Sequence, residues 1–192
     1  MTTTRWLTTE EQRAWRSFLT ACQSLFGAID AQLLHDSGLP HGYYEILVHL
    51  SEAPGRALRM SQLAAASTYS KSRLSHAVSR LEERGWVVRQ DCPTDRRGQV
   101  AILTDAGFEV LELAAPGHVE QVRRSLLDAL TPEQVRQLAE ISAAMGAAAK
   151  STCRGAVAAG VAAEDGCGAE DDSDCEAAQS RCDGTSAGDE RA

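Results

Sequence analysis

Residues 60–107 read MSQLAAASTYSKSRLSHAVSRLEERGWVVRQDCPTDRRGQVAILTDAG, and the order of signals within them decides the fold. Ser61 carries the hydroxyl to cap a short helix from Gln62 to Ala66, because an N-cap oxygen accepts from a backbone N–H that lacks a helical partner. Thr68-Tyr69-Ser70 breaks the pattern, and Ser70 can cap a second helix reaching about Arg84. Within it Leu74, Ala77, Val78 and Leu81 recur at helical spacing and share one face. Lys71, Ser72, Arg73, His76 and Arg80 fall on the others. Gly85 stands where a left-handed C-terminal residue belongs.

Trp86 to Arg89 and Val100 to Leu103 are rich in strand formers. The polar stretch between them, Gln90 to Gln99, holds a proline and a glycine, so the two strands form a hairpin with a long tip. Arg96 and Arg97 sit near its end. Helix, turn, helix and a basic hairpin outline a winged helix, whose second helix enters a DNA major groove while the hairpin reaches the adjacent minor groove.

The run from Leu63 to Gly107 resembles the core of the MarR family of bacterial transcription regulators. Its most specific parts are DRRG (Asp95 to Gly98) ahead of a strand and LTDAG (Leu103 to Gly107) opening the next helix, after the RLEERGWV join. The likeness extends in outline over about Glu10 to Ala149. It implies a mainly α fold with a small β-wing, a winged helix-turn-helix joined to a helical dimerisation domain. The expected division is an N-terminal dimerisation helix over 9–36, the winged helix-turn-helix over 37–103, and C-terminal dimerisation helices over 104–150. An acidic, cysteine-containing tail then occupies 151–192.

Outward from the core, Thr8 or Thr9 can cap a first helix, with Glu11 or Gln12 completing a capping box. Trp15, Phe18, Leu19, Cys22, Leu25, Phe26, Ile29 and Leu33 follow helical spacing to about His35. That stripe exceeds what a winged helix alone would bury, which suggests a subunit interface; the resemblance implies a homodimer. His41 to Ala53 reads as the next helix, with Tyr43, Ile46, Leu47 and Leu50 inward, and Ala57 to Met60 can add a third short strand. Thr104 caps a helix that Pro116-Gly117 bends or interrupts before it continues to Leu130. Thr131-Pro132-Glu133 starts the last helix, which carries Val135, Leu138, Ile141 and Met145 to about Lys150. Beyond Ser151 the chain turns to Gly, Ala, Ser and acidic residues without periodicity. Apart from 156–163 it is too poor in apolar surface to offset the entropy of ordering, and the tail reads as disordered.

The net charge of −8 is unevenly spread. Residues 151–192 hold three basic and ten acidic residues, whereas 56–101 hold nine basic and four acidic. Phosphate binding answers to local charge, since screening acts beyond about 10 Å at ordinary salt. The acidic total is therefore compatible with a double-stranded DNA partner. No apolar run of about 18 residues and no signal-peptide core occur, so no membrane association and a cytoplasmic location are expected. There the six cysteines are expected as thiols or metal ligands rather than disulfides.

Ser70 and Ser72, with the N-terminus of the second helix, can hold phosphates, and Lys71 adds charge. Arg73, His76 and Arg80 share one face and can reach base edges or phosphates. A solvated helix face is the plainer alternative. In the family the acidic residue of DRRG commonly orients an arginine while a wing arginine enters the minor groove. The resemblance thus assigns Arg97 to the groove and Asp95 to bracing the wing, with Arg96 able to exchange roles. It also implies an effector pocket between the dimer helices and the winged helix, often filled by phenolic or other aromatic carboxylates. Trp15, Arg16, His41, Tyr44 and Arg56 are residue types that can line one, although each also suits a structural or surface role.

Two other sensing chemistries stay open. His41, Glu45 and His49 recur every four residues and can meet zinc with His118 or Cys22, but Glu–His faces are ordinary and no paired Cys-x-x-Cys ligands occur. Cys22 lies where the peroxide-sensing branch of the family keeps its reactive thiol, yet TACQSLFG does not match that branch closely, and a buried, inert thiol reads better. Nothing marks catalysis: no nucleophile triad, phosphate loop or carboxylate cluster stands out, and no cofactor is required. The expectation is a dimeric regulator, a repressor of its own or neighbouring genes at a pseudo-palindromic operator, released by a small effector. The rival from another class is a winged helix that binds protein and ignores DNA.

Overall fold

The computed structural model describes residues 3–67, 69–92 and 95–158, the backbone alone for 92, 95–97, 150 and 152–158. Helix α1 runs over Thr9–Ser37. Thr8 closes a full capping box: its hydroxyl accepts from the Glu11 N–H at 3.2 Å, and the Glu11 carboxylate accepts from the Thr8 N–H at 2.7 Å. Those bonds hold the Glu11 carboxyl below the usual range. Gly38, at φ 62°, ends the helix in the left-handed region that glycine enters without cost.

Helix α2 spans His41–Glu52 and starts after Pro40, whose side chain cannot cap. Asp30 of α1 supplies the missing acceptor, taking the His41 N–H at 2.9 Å. Tyr44, Ile46, Leu47 and Leu50 are buried; Tyr43, expected inward, is only half-buried and packs at the core's edge. Strand β1, Ala57–Arg59, leads directly into helix α3, Met60–Ala66. Ser61 is therefore inside α3 and does not cap it. The Gln62 side chain does that work, accepting the Arg59 N–H at 3.1 Å.

Helix α4, Lys71–Glu83, has Ser70 as N-cap and buries Leu74, Ala77, Val78 and Leu81, the face that the spacing predicts. Gly85 at φ 73° turns the chain into β2, Val87–Cys92, which pairs antiparallel with β3, Asp95–Leu103. The sheet order is β1-β3-β2. Both long strands pass the expected bounds, and Asp95 to Gly98 lie in β3 rather than in a tip. Ladder bonds come from the backbone, so polar residues extend a ribbon as long as water bathes it. An irregularity between Asp91 and Cys92 marks where the register shifts.

Helix α5 spans Asp105–Ser125 from the N-cap Thr104, whose hydroxyl accepts from the Gly107 N–H and donates to the Gly85 carbonyl at 2.8 Å. A Cβ at Gly107 would run into the Trp86 carbonyl, which explains the glycine of LTDAG. α5 continues past Pro116 as one helix, so of the two expected outcomes, a bend or an interruption, the interruption does not occur; it ends at Leu126 before a short 3-10 turn over Leu127–Ala129. Directly after the proline, Gly117 faces the Gln32 and Asp36 side chains of α1.

Helix α6 runs over Pro132–Ala158, capped at Thr131 by reciprocal bonds with Gln134. It passes the expected end at Lys150, so residues 151–158 are helical rather than disordered. Adding residues to an existing helix avoids the cost of nucleation, and alanine-rich sequence suits it. The remainder of the tail, 159–192, lies outside the described residues.

The core joins α1 through Ile29 and Leu33, α2, α3 through Leu63, α4, the sheet through Val87, Ala101 and Leu103, and α5 through Leu111 and Ala114. Among the described residues no buried one comes from α6, on which Val135 and Leu138 are half-buried while Ile141 and Met145 are exposed.

Candidate nucleic-acid interface and the ring cluster behind it

The burial of Leu74, Ala77, Val78 and Leu81 turns the rest of α4 to solvent, and Lys71, Ser72, Arg73, His76 and Arg80 are all exposed. Ser70 is half-buried: its hydroxyl accepts from the Arg73 N–H at 3.4 Å and lies 3.3 Å from the Ser72 hydroxyl. Two hydroxyls, free N–H groups and the positive end of the helix dipole thus meet at one point, a suitable anchor for a phosphate. Arg80 is held by Glu83 at 2.8 Å, an exposed pair that solvent already weakens. Arg73 forms no ion pair among the described residues.

Beside α4 the β2–β3 ribbon carries Asp95, Arg96 and Arg97 in its second strand. Only the backbone of these three is described, so the expected bracing by Asp95 and the groove role of Arg97 or Arg96 concern side chains outside the described set.

Four rings gather where α1, α2 and α5 meet. Tyr44 and His118 have centroids 4.5 Å apart, His41 and His118 6.1 Å, and Phe26 and His41 5.9 Å. Burial, then the nearby His41 charge, lowers the His118 pKa and keeps its imidazole neutral. Burial likewise raises the Tyr44 hydroxyl. The His118 Nδ1 and Gln32 Oε1 atoms are buried without a hydrogen-bond partner among the described residues.

The five effector candidates therefore separate. His41 and Tyr44 come together in this cluster. Trp15 and Arg16 are exposed about 15 Å further along α1 from Phe26, and the Trp15 ring meets Phe18 instead. Arg56 serves the base of the wing: it pairs with Asp105 at 3.2 Å and lies 3.7 Å over the Phe108 ring, with its own φ at 54°. Asp30 and Gln32 escaped the sequence reading, Phe26 entered it only in the apolar stripe of α1 and His118 only as a metal ligand, because residues of three helices assemble the cluster.

Cys22 is half-buried and free, more accessible than the buried thiol expected; the side chains of the other cysteines lie outside the described residues. His49 approaches Glu45 at 3.9 Å while His41 turns to the rings. No group of three or more His, Cys, Asp or Glu among the described residues is placed to hold a metal ion. No helix among them is long and apolar enough to cross a membrane.

Comparison with known proteins adds four likenesses. The profile of the MarR family matches residues 37–98. The crystal structure of Sco3205, a MarR family transcriptional regulator from Streptomyces coelicolor in complex with DNA, is 55% identical, with 74% of this chain and 90% of that one aligned at a TM-score of 0.72. That of AbsC, a MarR family transcriptional regulator from the same organism, is 42% identical over 77% of this chain and 99% of that one, at 0.73. A putative transcriptional regulatory protein for the hcr operon of Thauera aromatica is 36% identical over 74 residues, which are 38% of this chain and 43% of that protein. The chain spans about half the length of the curated relatives it matches.

Proposed function

The chain belongs to the MarR family, and from that premise we propose that it is a dimeric, DNA-binding transcription regulator, not an enzyme. The observation that carries this reading is the outward face of α4, with Arg73, His76 and Arg80 exposed beside a two-stranded ribbon. Each subunit would set Ser70 to Arg80 in a major groove, with Ser70, Lys71 and Ser72 on phosphates and Arg97 or Arg96 in the minor groove. Two-fold symmetry then calls for a pseudo-palindromic operator. The apolar residues exposed on α1, α5 and α6 support the dimer, since a second copy can cover them.

The role proposed is repression of its own or neighbouring genes, released by a small aromatic or phenolic effector at the His41–Tyr44–His118 rings. A neutral imidazole and a phenol can both exchange hydrogen bonds with such a ligand. Release requires that the ligand bind one spacing of the two reading heads more tightly than the other.

The test is duplex binding across a salt series, with probes recovered by the wild-type protein from a random-sequence pool. Arg73→Ala is expected to weaken binding about tenfold or more if it reads a base. Arg97→Ala is expected to reduce the log–log salt slope by about 1 where a phosphate contact is lost. Failure to enrich any duplex at low salt would overturn the reading in favour of a winged helix used on protein.

A further inference from the structure

One arginine of the basic segment does not belong to its outward charge. Arg89, in β2, is only 22% exposed and faces Glu82 of α4 at 28%. Its Nε donates to Glu82 Oε2 at 2.7 Å, its Nη2 to the Ser79 hydroxyl at 2.9 Å, and its backbone N–H to Glu82 Oε1 at 2.9 Å. The Ser79 hydroxyl in turn donates to the Ser75 carbonyl of α4 at 3.0 Å. One carboxylate thus accepts from both the main chain and the side chain of a single strand residue, and a hydroxyl one turn earlier in the helix takes a third donor.

Arg56–Asp105 also joins distant elements, but its Asp105 is almost fully exposed, and four further pairs behave differently. Arg80–Glu83, Arg123–Asp128, Arg124–Glu120 and Arg136–Glu133 all leave the arginine more than half exposed, and each lies within one helix or beside its end. Arg89–Glu82 joins two elements. The strand it fixes continues through Cys92 toward the wing tip, and Arg89 pairs in the ladder with buried Ala101. Gly85, at φ 73°, is the turn between helix and strand and does not by itself fix the angle between them.

We infer that Glu82, Arg89 and Ser79 form a positioning clamp that sets the wing relative to the recognition helix, so that both reach DNA in one register. The inference rests on the DNA-binding reading above. Arg89 is a positioning residue here, with its guanidinium spent on α4 and withdrawn from the phosphates. The guanidinium on Glu82 Oε2 and the backbone N–H on Oε1, with Nη2 on the Ser79 hydroxyl, suit this task because a planar donor set held at several points fixes direction as well as distance.

The full-length protein is compared as wild type, Arg89→Met, Arg89→Lys and Glu82→Gln, each checked by thermal melting. The first readout needs no DNA: hydrogen exchange in the β2–β3 ladder is expected to accelerate about tenfold or more in Arg89→Met, with α5 amides unchanged. The second is a double-mutant cycle on the selected duplex. In the Arg89→Met background Arg97→Ala is expected to cost less than about twofold, because the wing has already lost its register, while Arg73→Ala keeps its full wild-type effect. Arg89→Lys, which keeps the charge without the fork, is expected to behave like Arg89→Met. If Arg89→Met does not fold, Glu82→Gln carries the same two measurements. Unchanged ladder exchange overturns the clamp, as does full additivity with Arg97→Ala. If the wild type binds no duplex, the DNA reading falls, and the exchange experiment alone decides whether helix and hairpin are clamped.

Discussion

Between Leu39 and Leu103 the large apolar side chains mostly turn inward and the cations of α4 turn outward, whereas along α1, α5 and α6 many apolar side chains face outward. Leu47, Leu50, Leu63, Leu74 and Leu81 are fully buried in the head. Trp15, Phe18, Phe26, Leu113, Val119, Ile141 and Met145 are exposed on the arms. Burying a side chain of this size contributes about 1.5–3 kcal/mol relative to leaving it in water. The head collects that contribution within one chain, and in the dimer proposed above the arms would collect it from a second. A head completed by Ile29, Leu33, Leu111 and Ala114 of the arms, beside arms whose outer faces stay apolar, is what the proposed dimer requires.

The sharpest way to break this contrast is to put charge on the arms. Ile141→Glu with Met145→Glu is expected to abolish the dimer and lower duplex affinity about a hundredfold or more, because two heads no longer bind as one. Sedimentation beside a binding titration checks both, and loss of dimer with unchanged DNA affinity would count against the proposed mechanism. The next perturbation acts inside the head. A Cβ at Gly42 would overlap the Tyr69 hydroxyl, which lies against the start of α2 just ahead of the Ser70 cap. Gly42→Ala is expected to cost about 1–3 kcal/mol in denaturant unfolding while leaving the dimer intact.

The smallest expected effect lies at the boundary between the two regions. His118 has a lowered pKa when folded, so as pH falls through its ordinary value of 6.5 the unfolded chain takes up a proton that the folded chain refuses. Stability is then lost on acidification below that value, and nothing is lost above it. His118→Gln is expected to flatten that slope in melts taken over the same range; an unaltered slope would show that other groups govern it.

What could be read from the sequence was local. The α4 face, the Gly85 turn and the Thr104 cap each depend on residues within about one helical turn, and each appears where spacing put it. The wing was longer than expected because its ladder depends on cross-strand partners rather than on polarity along the chain. Ser61 lost its capping role because β1 runs straight into α3, and α6 outran its expected end because composition was weighed without the helix already formed. Asp30 capping α2 and the rings around His118 join distant segments, and no short window reveals them. For the residues proposed to read DNA, the sequence could name cations but not which of them are spent within the fold: Arg89 and Arg56 are, and Arg73 forms no ion pair among the described residues.

Proline inside a helix removes one donor, so the Glu112 carbonyl has no partner at position 116 and α5 bends there more cheaply than elsewhere. In the next position Gly117 leaves room for the Gln32 and Asp36 side chains of α1, since a Cβ there would crowd the Gln32 amide. A weak point and a tight crossing in the same turn make a fulcrum. α5 is about 32 Å long, and α1 is longer, so a small rotation about that crossing leaves the contact in place and swings the far ends of both rods. One end of α5 is tied through Thr104 to the base of the wing and the other leads to α6. The molecule is in this sense a pair of scissors whose rivet is a glycine.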